Sequence, residues 1–150
     1  MKYTIAFLFF ISVLYSSCTQ DTTCRENKDV KLHADFINQS NNSKLTVDSV
    51  TVFGVGQDSL IYNNKKSVDK ILIPLNNAAE DCSFVIIFDE IADTINVKYT
   101  NIEYFMSYSC GVIMAHEIDT VTFTDNYIKE IIIQNRIINP TDVKHIQILH

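Results

Sequence analysis

The sequence of 150 residues lacks the short motifs that mark most catalytic and metal-binding proteins. Its four histidines do not show the His-x-x-x-His or His-x-His spacings that hold a metal ion. No Gly-x-Ser-x-Gly turn is present to carry a serine nucleophile. Only three glycines occur, and Gly54 and Gly56 lack the third glycine of a dinucleotide-binding loop, so we interpret them as a turn.

Basic side chains and helical patterns are also scarce. Twelve lysines and arginines stand against eighteen acids, which gives a net charge of −6 at pH 7. Phosphate binding depends on basic side chains, so the charge balance excludes nucleic acid as a partner and argues against anionic membrane surfaces. No segment shows the periodicity of a long amphipathic helix.

The N-terminus, in contrast, has a distinct pattern. Lys2 precedes an apolar run over Ile5–Leu14, and Ser16 and Ser17 stand directly before Cys18. A positive start, an apolar centre of about 7 to 15 residues and small residues at the cleavage point indicate a cleavable signal. We predict a lipoprotein signal with Cys18 as the lipid attachment residue. The alternatives are an ordinary secretory signal and a spanning anchor, although a spanning helix needs roughly 20 apolar residues.

Cleavage at this point divides the chain into three segments. Residues 1–17 are the predicted signal peptide, residues 18–28 a polar tether and residues 29–150 a single domain. The mature chain has 150 minus 17, or 133, residues, and with 11 basic and 18 acidic side chains its net charge is −7. Thr19 follows the lipidation site where an aspartate resembles an inner-membrane retention signal, so we expect an outer-membrane location, facing the periplasm or the surface.

The domain is a succession of short apolar segments. Thr94–Thr100 alternates apolar and polar side chains, as a strand with one buried face does. Phe84–Phe88 is apolar throughout and favours a central strand. We therefore predict an all-β fold, a single antiparallel β-sandwich that is immunoglobulin-like or related, with a barrel as the alternative. The other predicted strands are Val30–Phe36, Lys44–Phe53, Ser59–Tyr62, Lys70–Leu75, Gly111–Ile118, Val121–Thr124, Tyr127–Ile133 and His145–Leu149.

Turn residues predict two hairpins. Residues 89–93 form a five-residue connection between the two strands described first. Residues 54–58 connect Lys44–Phe53 to the strand that follows it. The inward parity of apolar side chains changes within Lys44–Phe53, which predicts a β-bulge near residues 48–49.

Four cysteines remain in the mature chain, and an exported compartment permits disulfides. With Cys18 lipidated, three thiols are left, which allows one bridge in three pairings or no bridge. We favour Cys24 with Cys110, because this pair ties the tether to the domain. Cys82 precedes an apolar strand and resembles a small buried hydrophobic residue.

The remaining chemically active side chains are isolated in the sequence. His116 and Glu117 face opposite sides of a strand, so they cannot hold one metal ion together. Cys110 has no adjacent base that would activate a thiol. We therefore predict no catalytic residue, no metal ligand and no cofactor.

A series of short motifs follows Cys18 along the chain. They are Cys24-Arg25, Val52-Phe53-Gly54-Val55-Gly56, Ile73-Pro74-Leu75, Val97-Lys98-Tyr99, Ser109-Cys110-Gly111 and His145-Ile146-Gln147-Ile148. In this order they resemble a family of uncharacterised Bacteroidetes envelope lipoproteins, a domain of unknown function. The resemblance covers nearly the whole mature chain and implies an exported, lipid-anchored, β-rich protein without implying an activity. It also supports Cys24 with Cys110 as the pair.

Two functions of different classes fit these observations. The first is a non-catalytic binding or structural module, anchored to the membrane by lipid, with an envelope protein or glycan as its partner. The second is an envelope hydrolase or metal-dependent enzyme whose site forms only in the fold. A pocket that gathers His116 or His145 with two carboxylates would favour the enzyme, and an exposed aromatic patch would favour the binding module. The candidates for that patch, which core packing could also explain, are Tyr99, Tyr104, Phe105 and Tyr108.

Overall fold

The computed structural model describes residues 23–150, and the regular structure in this range is entirely β. Its strands form two sheets, which confirms the predicted all-β fold of sandwich or barrel type. No helix in the described range is long and apolar enough to cross a membrane. The predicted signal peptide and Cys18 lie outside the described residues. The strands are β1 (Leu32–Ile37), β2 (Val47–Gly54), β3 (Leu60–Val68), β4 (Lys70–Ile73), β5 (Asp81–Phe88), β6 (Ile91–Ser107), β7 (Gly111–Phe123), β8 (Glu130–Ile133), β9 (Ile137–Ile138) and β10 (Ile146–Leu149).

One pair of strands departs from the antiparallel pattern. The smaller sheet has the order β4-β1-β10-β8, and the larger sheet has the order β3-β2-β5-β6-β7-β9. β1 and β10 pair in parallel, from Ala34 opposite Ile146 to Ile37 opposite Leu149. The other neighbouring strands are antiparallel, as predicted. Parallel strands require a long connection, and here almost the entire domain lies between the two.

The core is formed by the alternating apolar side chains of both sheets. Ile95, Val97 and Tyr99 of β6 are buried, as the alternation in this segment predicts. The rings of Phe36 and Phe88 meet edge to face at 5.3 Å between centroids. Aromatic pairs of this kind add to the free energy gained from apolar burial.

Several strand boundaries differ from the prediction. The two predicted strands within residues 111–124 form the single strand β7, because pairing with β6 resumes on both sides of a register shift that leaves Asp119 as an extra, exposed residue. The hydroxyl of Thr100 donates to the Asp119 carboxylate at 3.3 Å across this ladder. β6 is also longer than Thr94–Thr100 at both ends, and β9 was not predicted.

The β5–β6 hairpin is confirmed, but its connection has two residues instead of five. Asp89, the first of the two, adopts a φ of 54°, a conformation that tight hairpin turns require. The backbone N–H and the hydroxyl of Ser49 donate to the Asp89 carboxylate at 3.0 and 3.1 Å. These bonds hold the turn against β2 and allow the strands to pair as far as Phe88 and Ile91.

The predicted hairpin between β2 and β3 is also present, with its irregularity in a different place. The register shifts occur between Val50 and Phe53, and the additional residues belong to β3. Asn64 in β3 adopts a φ of 44° at this point. The bulge predicted at residues 48–49 of β2 is therefore wrong: the partner strand accommodates the mismatch with residues that tolerate this conformation.

Candidate functional site

A cluster of buried polar side chains lies on β1, on the face opposite the core. Nε2 of His33 lies 2.9 Å from one carboxylate oxygen of Asp35, and Nζ of Lys144 lies 2.7 Å from the other. The backbone N–H of His33 donates to Nδ1 of His145 at 2.9 Å. The backbone N–H of His145 donates in return to the His33 carbonyl at 3.0 Å. The cluster therefore ties the first strand to the segment that enters the last.

Burial and the neighbouring charges together set the charge of this cluster. It acts to raise the pKa of Asp35, but the hydrogen bonds and charges of Lys144 and His33 outweigh it and hold the pKa below its usual value. Burial and the charge of His33 lower the pKa of His145 to about 4, so its imidazole is neutral at pH 7. Because Nδ1 is an acceptor, the proton of His145 is on Nε2. This atom is buried without a hydrogen-bond partner among the described residues. The backbone of Ile137 acts to raise the pKa of His145, but burial and the charge of His33 outweigh it.

The cluster borders a cavity of about 350 Å³. Asp142 also lines this cavity, with its carboxylate 3.5 Å from Nδ1 of His33. A histidine oriented by a carboxylate supplies two of the three groups of a Ser-His-Asp arrangement, which also needs a nucleophile. Within residues 26–150, however, no hydroxyl or thiol hydrogen-bonds to His33 or His145, and the Thr141 hydroxyl is bonded to Asn139. The structure thus brings His145 together with carboxylates, as the enzyme hypothesis required, but places no nucleophile beside them.

The other predicted histidine lies elsewhere. His116 is buried on β7, where Nδ1 is 2.7 Å from Oδ1 of Asn101 and the ring meets Tyr99 edge to face. Burial lowers the pKa of His116. Glu117 is exposed on the opposite face, as alternation predicts. No group of three or more His, Cys, Asp or Glu side chains within residues 23–150 is arranged to hold a metal ion.

Cys24 and Cys110 form a disulfide, with their Cα atoms 4.6 Å apart, which is the pairing favoured from the sequence. The Lys28 ammonium donates to the Cys110 carbonyl at 3.1 Å, so the segment after Cys24 follows the same loop. The bridge leaves no thiol at Cys110 for catalysis. The third cysteine, Cys82, is free and half-buried.

A second, larger cleft of about 590 Å³ opens beside Cys82. Sγ of Cys82 lies 3.1 Å from the Tyr99 hydroxyl, which donates to the Asn76 carbonyl at 2.8 Å. Burial and the neighbouring Cys82 raise the pKa of Tyr99. The Tyr99 hydroxyl thus connects β6 to the loop after β4. Among the residues that line the cleft, there is no pair of charged side chains that would indicate a substrate.

Asp93 is a buried carboxylate that sequence reasoning missed. It accepts hydrogen bonds from the Thr124 hydroxyl and from the backbone N–H groups of Asn126, Tyr127 and Ile128. Burial acts to raise its pKa, but these donors outweigh it and lower the pKa. The sequence placed Asp93 at the end of a connection between two strands, whereas the loop that it holds is more than 30 residues away. Its role is to fasten that loop to β6.

The β6–β7 hairpin extends beyond the rest of the larger sheet. β5 pairs with β6 only as far as Asp81 opposite Lys98, whereas β6 and β7 pair on to Ser107 opposite Gly111. We refer to residues 102–115 as the arm. Gly111 adopts a φ of 74°, which glycine permits, where the chain enters β7.

The arm carries most of the predicted aromatic patch. Phe105 is 55% exposed and Tyr108 is fully exposed, and their rings lie 5.6 Å apart. Val112, opposite Phe105 in the ladder, is also 55% exposed. Tyr104 is half-buried. Tyr99 is buried in the core and does not belong to the patch.

A family model matches residues 49–150, which is more than half of the chain. The chain belongs to the DUF6452 family, a family of unknown function. The DUF6452 match includes Cys110 and the arm but not Cys24 or β1. No curated protein and no solved structure shows significant similarity to the chain.

Proposed function

We propose that this DUF6452 protein is a lipid-anchored module of the bacterial cell envelope, attached through Cys18 in the outer membrane. The domain binds an envelope protein or glycan, or fills a structural role, without catalysing a reaction. The resemblance to Bacteroidetes envelope lipoproteins supports this location. The match to the DUF6452 family model assigns the chain to a family of unknown function and therefore indicates no activity.

The disulfide is the observation that carries the proposal. Disulfides persist in exported proteins and are rare in the reducing cytosol. The bridge begins at Cys24, six positions after the predicted lipidation site, and ends in the domain at Cys110. A chain that is exported, cleaved before Cys18 and held to its own domain at Cys24 has the organisation of an anchored module.

The buried polar groups support a structural role over a catalytic one. Asp35 and Asp93 are both committed to hydrogen bonds or ion pairs within the domain. The neutral His145 accepts a backbone hydrogen bond at the nitrogen that a general base would use, and His33 is held by Asp35.

Intact mass of the protein from its native membrane fraction tests the proposal. We expect a chain that begins at Cys18 and carries a diacyl or triacyl increment. Alkylation before reduction should label one thiol, Cys82, and alkylation after reduction should label three. Cys18→Ala is the matched variant and should remain uncleaved and unlipidated. A wild-type chain without acyl mass would contradict the anchor, and three labelled thiols without reduction would contradict the bridge.

An envelope hydrolase is the second candidate, and the His33–Asp35 pair at the cavity is the observation in its favour. Its test is hydrolysis of ester, glycoside and peptide substrates by the wild type and by His33→Asn. Turnover that His33→Asn abolishes, with the fold retained, would replace the non-catalytic proposal. We expect no turnover by either protein.

A further inference from the structure

The tip of the arm differs in charge from the rest of the domain. Residues 104–115 form twelve successive positions without a charged side chain, in a chain of which 20% is charged. Side chains on one face of this stretch are exposed, and those on the other are half-buried: Phe105, Val112 and Met114 belong to the first set and Tyr104, Met106 and Ile113 to the second. Charged side chains lie beside this stretch: Glu103 is exposed in the arm, the Lys28 ammonium donates to the Cys110 carbonyl, and the Glu26 carboxylate lies 3.6 Å from the Cys110 sulfur. The exposed apolar side chains of the tip itself are unfavourable in water and suited to a less polar surface.

The disulfide determines where this tip lies relative to the proposed anchor. Six residue steps separate Cys18 from Cys24, so the tether spans at most about 20 Å. Cys24 is bonded to Cys110, only two positions from Tyr108. Ile91, at the opposite end of β6, is sixteen residues from Ser107, or roughly 50 Å along the strand. The arm is therefore the end of the domain that the tether holds next to the membrane.

We infer that the arm is a membrane-contacting element, which places Phe105, Tyr108 and Val112 in the interfacial region of the bilayer that holds the lipid on Cys18. This inference rests on the proposed lipid anchor and adds the orientation of the domain. Tyrosine is suited to this region because its ring is apolar and its hydroxyl remains in contact with water. The contact is apolar in origin, since the acidic domain gains nothing from an anionic surface.

The absence of tryptophan from the chain makes a direct test available. Tyr108→Trp places a single reporter at a fully exposed position of the arm, and Ile91→Trp places a matched reporter at the far end of β6, where the side chain is 48% exposed. Each lipidated protein is purified and reconstituted into phosphatidylcholine vesicles whose acyl chains are brominated. We expect a blue-shifted emission and loss of most fluorescence for Tyr108→Trp, with neither change for Ile91→Trp.

Flotation of the same vesicles separates the two proposals. Protein that floats while both reporters remain unquenched retains the anchor and overturns the arm contact. Quenching of both reporters also overturns it, because the whole domain would then lie on the bilayer. Protein that carries no acyl mass and does not float contradicts the proposed function, and the arm contact with it.

Two further variants examine the cause of the contact. Val112→Asp, at a strand position that is 55% exposed, introduces a charge into the tip and should restore most of the fluorescence of the Tyr108→Trp reporter, with circular dichroism to show that the fold is retained. Cys24→Ser with Cys110→Ser frees the arm from the short tether and should weaken the quenching while the protein still floats. Unchanged quenching in both variants would contradict the inference.

Discussion

The body of the sandwich and the arm are built from similar residues but use them in opposite ways. In the body, Phe88 is fully buried between Phe36 and Tyr127, and polar groups such as Asp93 are fully engaged. In the arm, Phe105 is more than half exposed, and a single pair of strands holds it. Apolar content alone therefore does not distinguish a core strand from a surface projection. The difference is that the second sheet covers the apolar side chains of the body, whereas no second sheet covers those of the arm.

Loss of the disulfide should have the largest effect, since it is the covalent connection between the tether and the arm. Its cysteines are 86 positions apart, and closing a loop of this length stabilises a fold by about 4.5 kcal/mol in the chain-entropy model. We expect Cys24→Ser with Cys110→Ser to lower the free energy of unfolding by about this amount in denaturant titrations. Cys82→Ser, which keeps a donor beside Tyr99, should cost less than about 1 kcal/mol. Equal losses would mean that the bridge is not a main constraint.

Phe88→Ala and Phe105→Ala compare the body and the arm directly. Phe88→Ala removes a buried ring and leaves a cavity, so we expect a loss of about 4 kcal/mol. Phe105→Ala removes an exposed ring and should cost less than about 1 kcal/mol. Both values come from urea unfolding followed by circular dichroism. A large loss for Phe105→Ala would show that the arm is covered in solution, and the distinction between the two regions would fail.

Asp93→Ala tests whether a polar group can matter in the body as much as an apolar one. The substitution leaves three backbone N–H groups without their carboxylate, and we expect a loss of about 2 to 3 kcal/mol. Asp125→Ala, in the same loop but exposed, should remain within about 0.5 kcal/mol of the wild type. Hydrogen exchange at residues 126–128 should rise in the first variant and not in the second.

The pH dependence of stability examines the cluster on β1. The pKa of His145 falls from 6.5 to about 4 on folding, so the unfolded chain binds more protons between these values and stability decreases as the pH falls through this window. We expect a loss of about 2 kcal/mol between pH 7 and pH 4, allowing for water in the adjacent cavity. The lowered pKa of Asp35 acts in the same direction below its usual value of 3.8. His145→Asn should reduce the loss of stability between pH 7 and pH 4, and the part that remains should come from His116, whose pKa burial also lowers.

Local pattern was sufficient to predict the strands that lie in two layers. Thr94–Thr100 alternates strictly, and its apolar residues are buried as expected. The same pattern could not show that β6 continues to Ser107, because residues 102–107 have no consistent alternation and depend on their pairing with β7. The two strands predicted at 111–118 and 121–124 left out Asp119 and Thr120, because local polarity could not show that pairing with β6 resumes beyond the extra residue at 119.

The polar clusters could not be predicted from the sequence, because their members are far apart along the chain. His33 and His145 are 112 positions apart and meet only because β1 and β10 are neighbours. The signal that could have found the cluster is local: His33 and Asp35 alternate with apolar residues in a strand and therefore share a face. The disulfide could be predicted from the sequence, since three thiols allow only three pairings and Cys24 is the one of the three that lies in residues 18–28.

The parallel pairing of β1 and β10 has a consequence for the order of folding. β1 can pair with β4 early, but its second neighbour, β10, is more than 100 residues away, so the smaller sheet is completed only when β10 is available. Contacts across such sequence distances slow the folding of β proteins. If the chain is exported unfolded, as proposed above, this pairing delays completion of the smaller sheet until β10 has also crossed the membrane.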